Sequence, residues 1–452
     1  MMIRLRYLWE RLRTSYWLVP SLMLLAAAVL AWLALYTDNQ IGRDALDGLG
    51  WALVVSSEGA TAVMSTIAGS MVTIAGVVFS ITLVALSLAS GQFGPRMLRN
   101  FIRDRVNQVA LGAFLATFLY GLLVLSAIRH DPQDAFVPRI AVALGVVLAV
   151  ASVVTLVVYI HHVAVTIQAD TLIEIIYRDL HSLMDSLYPQ RLDADDDEDP
   201  GNAVASDRPH GFDEPPARIL ADCHAYVQAV DRAGLVALAA GHDLVIRLRR
   251  RPGQYVLSGS LLMSVWPQRR VDDELAARLR RSMVFGAQRT ATQDIEFALD
   301  QLVEIASRAL SPGINDPFTA ITCVDRLGSA LSLLAGRRMP AVWHRDDEGI
   351  ARLCDSPVSF DKAIDAAFDP IRQYARGNAP VTIRMMEMLE ELAPLCRRAG
   401  DRQALSRHAE MLLRSAVSAL PEPTDVADVR SRYRQFAASL ATPHLVSPDD
   451  AG

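Results

Sequence analysis

The stretch VMSTIAGSMVTIAGVVFSITLVALSLAS, residues 63–90, decides the fold class of this chain. It contains no charged residue and exceeds the roughly 20 helical residues that cross a bilayer core. Three further apolar segments, at residues 17–36, 106–128 and 137–160, have sufficient length. A helix satisfies its backbone hydrogen bonds internally, as the bilayer requires. The sequence therefore predicts a mainly α membrane protein with a four-helix transmembrane domain at residues 1–164.

Arginines are unevenly distributed around these four helices. Those before the first helix and between the second and third are Arg4, Arg6, Arg11, Arg13, Arg96, Arg99, Arg103 and Arg105, whereas the other two loops, with the first residues of the fourth segment, carry Arg43, Arg129 and Arg139. Because cytoplasmic loops carry the excess of basic residues, both termini are predicted to be cytoplasmic. The chain has a single lysine, Lys362, and this preference for arginine suggests a GC-rich bacterial genome. We therefore expect a multi-pass protein of the bacterial inner membrane.

The second helix carries a stripe of small, weakly polar residues. The stripe comprises Thr66, Ser70, Thr73, Gly76, Ser80 and Ser87, which recur at intervals of three, four or seven residues. Small residues let helix backbones approach closely, and their hydroxyls bond across the interface. Alternatively, hydroxyls aligned along a helix can form the wall of a pore and replace part of an ion's hydration shell. Both interpretations, helix packing and a pore wall, remain open at this point.

Residues 165–452 are predicted to lie outside the membrane in successive regions. We expect a helical stalk at 165–188, an acidic flexible linker at 189–217, a small β-rich module at 218–268, an α-helical cytoplasmic domain at 269–442 and a disordered tail at 443–452. The linker has six acids within residues 193–199, a composition that favours solvation over packing. The β-rich module resembles the second half of a barrel-sandwich, or lipoyl-like, module. It lacks the carrier lysine of such modules, so no swinging-arm cofactor is expected.

Four arginines, Arg247, Arg249, Arg250 and Arg251, precede a Pro-Gly turn in this module. Guanidinium groups bind phosphate oxygens well, so the run is a candidate contact for anionic lipid headgroups or a phosphorylated ligand. Alternatively, these arginines lie at a solvated strand edge, where charged side chains prevent aggregation.

A helix–turn–helix sequence at residues 293–320 supplies the remaining candidate site. Asp316 is a good N-cap and Pro317 a good first residue for the second helix, which accounts for the turn without any function. The alternative is a ligand or interface loop formed by Glu304, Arg308, Asn315 and Asp316, in which an anion meets the helix amides. Glu296, Asp300 and Glu304 form an acidic ladder on the first helix. The ladder is either a solvated face or, between subunits, a divalent-cation site.

Two stretches of the chain resemble one family. They are residues 75–96, with Gly76-Val-Val-Phe-Ser and Gln92-Phe-Gly-Pro-Arg, and residues 293–320, with Ser311-Pro-Gly-Ile-Asn-Asp-Pro. Both are similar to the signature of a bacterial predicted membrane protein family of unknown function (domain of unknown function 2254). The resemblance covers roughly residues 15–440. It implies a membrane location and brings no established activity or catalytic residues.

No cofactor, metal or catalytic motif is expected from the residue patterns. The four cysteines lie far apart, and the adjacent His161 and His162 project about 100° apart on a helix. The net charge of −6 gives no reason to expect nucleic-acid binding. We predict a non-enzymatic homo-oligomer in the lipid bilayer, channel-like or passively transporting, with a cytoplasmic regulatory region. The alternative is a membrane regulator or scaffold that binds a cytosolic protein partner.

Overall fold

The structure, a computed structural model, describes residues 17–40, 56–94, 104–129, 136–166, 168–192 and 214–441. The chain is mostly helical with a small region of mixed sheet, so the predicted mainly α class with a minor β region is confirmed. Two compact units, the N-terminal unit Met1–Thr171 and the C-terminal unit Leu172–Gly452, make up the chain.

The apolar segments form the helices of the N-terminal unit. They are α1 (Leu18–Gln40), α2 (Ser57–Phe93), α3 (Arg105–Ala127) and α4 (Arg139–Thr166). α2 begins before the predicted segment because Ser56 caps it, its hydroxyl accepting a hydrogen bond from the amide of Gly59 at 3.1 Å. A polar cap, rather than the start of the apolar run, therefore sets where this helix begins.

α3 lies at the centre of the N-terminal unit. It contacts the other three helices, and α1 and α2 each make most of their contacts with it. Two of its glycines allow this close packing. A Cβ atom added at Gly112 would lie 2.6 Å from the Met23 sulfur, and one added at Gly121 would lie 3.3 Å from the Ala68 Cβ. Small residues thus bring α1 and α2 against α3, as is typical of helices packed in lipid.

The C-terminal unit combines helices with short strands. Its elements are α5 (Ala169–Leu187), β1 (Ala217–Leu220), β2 (Ala225–Val230), α6 (Arg232–Gly241), β3 (Val245–Leu248), β4 (Tyr255–Val256), β5 (Leu261–Trp266), α7 (Asp273–Arg281), β6 (Met283–Gly286), α8 (Ile295–Ala309), α9 (Pro317–Ala335), β7 (Trp343–Arg345), β8 (Ala351–Cys354), α10 (Phe360–Tyr374), α11 (Ala379–Leu392), α12 (Ala399–Ala419) and α13 (Pro423–Ala441). α5 begins three residues before the unit boundary, and the remainder lies within the unit.

The strands of the C-terminal unit form two sheets. One has five strands in the order β1-β5-β3-β8-β7, with β3 and β8 parallel, and the other has three in the order β4-β2-β6. Ile246, Val265 and Leu353 point from the larger sheet into a common core. Helices α6 and α7 complete that core through Leu235 and Leu279.

The sheets extend beyond the region that the sequence assigns to strands. β6, β7 and β8 lie within residues 269–442, which the sequence predicts as helical, and α6 lies within the predicted β-rich module. The three strands have only three or four residues each, too few to show the alternation by which a strand is recognised. β6 and β8 are fixed by pairing with the distant strands β2 and β3, and β7 by pairing with β8, rather than by local pattern.

α5 packs into the C-terminal unit instead of forming a separate stalk. The structure has one helix ending at Thr166 and another beginning at Ala169. Glu174 on α5 forms an ion pair of 2.9 Å with Arg326 on α9, and the Tyr188 hydroxyl donates to the Val358 carbonyl at 2.9 Å. These contacts fix the apolar face of α5 against the helical part of the unit.

Five of the helices are long and apolar enough to cross a membrane, judged by length and composition alone. Four are α1–α4, and the fifth is α9 in the C-terminal unit. The sequence predicts only the first four. Several predicted features lie outside the described residues, namely most of the arginines that set the orientation, residues 193–213 of the acidic linker and the tail at 443–452.

Candidate functional site

The small-polar stripe lies on the outer surface of α2. Every one of its members is exposed, namely Thr66, Ser70, Thr73, Gly76, Ser80 and Ser87. The opposite side of α2 is buried against the neighbouring helices and consists of Ala60, Met64, Ala68, Met71, Ala75 and Val78. Among the described residues, the stripe therefore takes no part in the packing of the helices of the N-terminal unit.

The hydroxyls of the stripe are partly satisfied by the helix itself. Thr66 donates to the Ala62 carbonyl at 2.7 Å and Thr73 to the Gly69 carbonyl at 2.9 Å. Such bonds occupy the hydroxyl proton and leave oxygen lone pairs directed outward. A Cβ atom added at Gly69 or Gly76 would meet nothing within 4 Å. The surface is thus shallow, weakly polar and rich in acceptors.

Large side chains fill the interior of the N-terminal unit. Phe114, Tyr120 and Tyr159 are fully buried between the helices. The Tyr120 hydroxyl donates to the Ala141 carbonyl at 2.8 Å, and the Thr117 and Ser152 hydroxyls lie 3.0 Å apart. Within the described residues, the centre of the helix bundle is therefore packed protein.

Two acidic residues at the ends of the bundle were not recognised from the sequence. Asp38 of α1 accepts hydrogen bonds from the amides of Ile140 and Ala141 at 3.0 and 2.9 Å, and so caps α4. Asp104 caps α3 through the Val106 amide and also lies 2.5 Å from His162 Nε2. The capping role of Asp104 could have been read from its position before α3, but the Asp38 contact spans over a hundred residues of sequence.

The second residue of the His161-His162 pair contacts a carboxylate. His162 is engaged with Asp104, and its Nε2 lies 3.3 Å from the Thr166 hydroxyl. Across the described part of the chain, no group of three or more His, Cys, Asp or Glu side chains is placed to hold a metal ion.

In the loop before α9, an internal carboxylate occupies the position proposed for an anion. Asp316 accepts hydrogen bonds from the amides of Phe318 and Thr319 at 3.1 and 3.2 Å and from the Thr319 hydroxyl at 2.6 Å. The hydrogen bond from the Thr319 side chain is the main reason why the pKa of Asp316 is lowered. Asn315 has a φ of 51°, the left-handed conformation that asparagine tolerates in turns.

Arginines compensate each member of the acidic ladder on α8. Arg251 reaches Glu296 at 2.7 Å, and Arg289 reaches Asp300 at 2.8 Å. Arg308 lies 3.6 Å from Glu304, one turn earlier on the same helix. The three acids of the ladder are thus each paired with an arginine, and they do not converge on a common point as metal ligands would.

The arginine run is divided by the structure. Arg251 pairs with Glu296, and Arg250 is half-buried with its Nε lacking a hydrogen-bond partner. Arg247 and Arg249 lie two residues apart along β3 and its extension, and so share a face of the five-stranded sheet. Arg249 donates from Nε to the Ser264 hydroxyl at 3.2 Å. Sequence proximity groups four arginines, but only two remain together on the sheet.

Comparison with known proteins gives a family without a described activity. The family described as "Predicted membrane protein (DUF2254)" matches residues 13–391. An uncharacterized protein of Mycobacterium tuberculosis and another of Mycobacterium bovis are each 30% identical to this chain, over 99% of it and 85% of the relative. No solved structure matches. The match over most of the chain shows that it belongs to this family of predicted membrane proteins.

Proposed function

We propose that the chain is a four-span protein of the bacterial inner membrane, with both termini in the cytoplasm, that forms a homo-oligomer. The α2 stripes of neighbouring protomers line a passive, channel-like pathway between them, and the C-terminal unit regulates it. The observation that carries this proposal is that all six members of the stripe lie at the protomer surface.

The composition of α9 supports four spans rather than five. α9 carries Asp325 and Arg326, which form ion pairs with Arg384 at 2.6 Å and Glu174 at 2.9 Å. It also packs between α8 and α11 of the C-terminal unit. Charged residues inside a membrane span are costly, whereas ion pairs at the surface of a helical bundle are ordinary. We therefore assign α9 to the core of the C-terminal unit.

The chemistry of the stripe favours passive conduction over driven transport. Its members offer hydroxyl oxygens and backbone but no carboxylate or imidazole. A proton relay or a coupling-ion site requires ionisable groups within the membrane. Oxygen acceptors along a pathway between subunits can replace part of the hydration shell of a permeating ion.

Mass measurement and ion flux together test the proposal. In nanodiscs we expect a mass corresponding to a closed ring of several protomers, and in liposomes a measurable ion flux. Thr73→Leu and Ser80→Leu should reduce that flux by at least about tenfold because leucine removes the oxygen and fills the pathway. Val72→Leu, at an exposed apolar position about 100° around the same helix from Thr73, is the matched control. A monomer, or flux unchanged in both stripe variants, would refute the pathway.

A second candidate, a scaffold that binds a cytosolic protein, is favoured by one exposed apolar pair. Phe318 is 78% exposed and Ile314 is 45% exposed, at the tip of the hairpin formed by α8 and α9. Exposed aromatic side chains commonly anchor protein interfaces. A partner that binds the intact protein but not the Phe318→Ser variant would support this function, and finding no partner for the intact protein would count against it.

A further inference from the structure

The register of the five-stranded sheet brings together residues that are far apart in sequence. Arg218 on β1 pairs with Ser264 on β5, and Ser264 pairs on its other side with Arg247 on β3. Directly paired residues point to the same face of a sheet, and adjacent strands are about 4.8 Å apart. Arg218 and Arg247 therefore flank Ser264 at a separation of roughly 10 Å between Cα atoms.

A third arginine joins this face. Arg249 follows Arg247 by two residues, which places its Cα about 7 Å further along the same face. Its Nε donates to the Ser264 hydroxyl at 3.2 Å, so the side chain lies across the sheet towards the same serine. Ser264 is 2% exposed, so its hydroxyl is covered by the residues around it. We call Arg218, Arg247 and Arg249 the arginine face.

The charges of the arginine face are not neutralised by carboxylates among the described residues. Arg218, Arg247 and Arg249 form no ion pair there, whereas neighbouring arginines do. Arg251 pairs with Glu296, and Arg269 with Glu214. Like charges held on a rigid sheet repel one another, so the arrangement costs stability unless an anion is bound.

The positive charges of Arg247 and Arg249 act on a buried residue of the sheet. Cys354 on β8 is the parallel partner of Arg247 and is buried. Burial raises the pKa of its thiol, while the positive charges of Arg247 and Arg249 act in the opposite direction. The two guanidinium groups are thus close enough to influence a common point on the sheet.

We propose that the arginine face is a binding site for a soluble phosphorylated ligand, with Arg218 and Arg247 holding phosphate oxygens from opposite sides and Arg249 from a third. Planar guanidinium forks suit this task because they bind phosphate oxygens in pairs. The fixed positions of Arg218 on β1, of Arg247 on β3 and of Arg249 just beyond β3 favour one compact phosphate or diphosphate group over a diffuse lipid surface. This site is separate from the α2 pathway, so its test does not depend on ion flux.

Calorimetric titration of the full chain with pyrophosphate tests the site. The protein is held in nanodiscs of phosphatidylcholine, so no anionic headgroup competes. We expect saturable binding that Arg247→Gln with Arg249→Gln weakens at least about 100-fold, because two charge-assisted contacts are lost. Arg218→Gln alone should weaken binding about tenfold or more. Arg218 is exposed on an edge strand, so Arg218→Gln also provides the test if the double variant does not fold.

The control variant loses the same two positive charges at positions outside the arginine face. Arg178→Gln with Arg414→Gln removes two exposed arginines, each paired with one glutamate on its own helix, and should leave binding unchanged. Absence of pyrophosphate binding, or equal loss in both double variants, would overturn the proposal. The melting temperatures of wild type and of Arg247→Gln with Arg249→Gln are also compared in phosphatidylglycerol nanodiscs. If the two proteins differ only there, as a thermal stabilisation of wild type, the proposal is overturned, because the anion is then a lipid headgroup.

Discussion

At the scale of single residues, Asp316 is the N-cap of α9, which was one of the two interpretations of the sequence. The pattern Asp-Pro at a helix start has a local physical cause, so it could be predicted without the fold. Asp38 could not, because its partners Ile140 and Ala141 are brought to it only by the packing of α1 against α4. The same distinction separates Arg249, which belongs to the arginine run in the sequence, from Arg218, which joins the arginine face only through strand register.

Replacing Asp316 by alanine should destabilise the first turn of α9. The loss of the cap costs about 1 kcal/mol, and asparagine at the same position should retain most of it. Hydrogen exchange at the amides of Phe318 and Thr319 measures the effect directly. Equal exchange rates in wild type and Asp316→Ala would show that the cap contributes nothing. Because the pKa of Asp316 is lowered in the folded state, its contribution is present above about pH 3.8 and is lost as the pH falls through the folded value.

His408 should make stability depend on pH in the mildly acidic range. Its side chain is buried, with Nε2 3.1 Å from Asp365, and burial lowers the pKa of the imidazole below its usual 6.5. The unfolded chain then binds a proton at higher pH than the folded protein does. Stability is therefore greatest above about pH 6.5 and falls as the pH drops towards the folded value.

Thermal unfolding between about pH 7 and pH 5 tests this role of His408. His408→Gln should flatten the pH dependence. His344, whose pKa burial also lowers, contributes in the same direction, so some dependence persists in the variant. An identical slope in wild type and His408→Gln would contradict the assignment. Asp365 titrates below its usual 3.8 and does not interfere in this range.

At the scale of elements, the long helices followed from the sequence and the short strands did not. α1–α4 contain apolar runs long enough to cross a bilayer core, and such runs can be recognised without knowing which residues pack against them. β7 and β8 are three and four residues long; β8 is fixed by pairing with β3, far away in the chain, and β7 by pairing with β8. The candidate sites divide in the same way: the α2 stripe was found by helical periodicity, whereas the arginine face needed the strand register.

Two glycines in the membrane helices should respond differently to valine. At Gly112 the new side chain would meet Met23 and the Pro20 backbone, so Gly112→Val forces α1 away from α3. Overpacking of this kind costs roughly 1–3 kcal/mol, and we expect a lower thermal midpoint of the protein in detergent. Gly76→Val enters open space within the protomer and should leave that midpoint unchanged.

The Gly76→Val variant also separates packing within a protomer from assembly between protomers. If α2 stripes meet in an oligomer, it should reduce the oligomeric mass in nanodiscs while the protomer stays folded. An unchanged oligomer would exclude Gly76 from the contact. Equal destabilisation by both glycine variants in detergent would contradict the exposed position of the stripe.

At the scale of the whole molecule, the division into two units determines which fragments should fold. The C-terminal unit has its own buried core, and α5 contributes Ile173, Ile176 and Leu180 to it. A fragment of residues 168–441 should therefore be soluble and cooperatively folded. A fragment of residues 189–441 exposes the surface that α5 covers and should melt lower or aggregate. Equal melting of the two fragments, measured by circular dichroism, would show that α5 is dispensable.

The central position of α3 has a consequence for biosynthesis. α1 and α2 leave the ribosome first, yet each makes most of its contacts with α3, which follows them. Until α3 is released into the bilayer, the first two helices have lipid or an insertase in place of their main partner. A nascent chain stalled after α2 should thus remain open to degradation by membrane proteases, and the release of α3 should end that vulnerable interval.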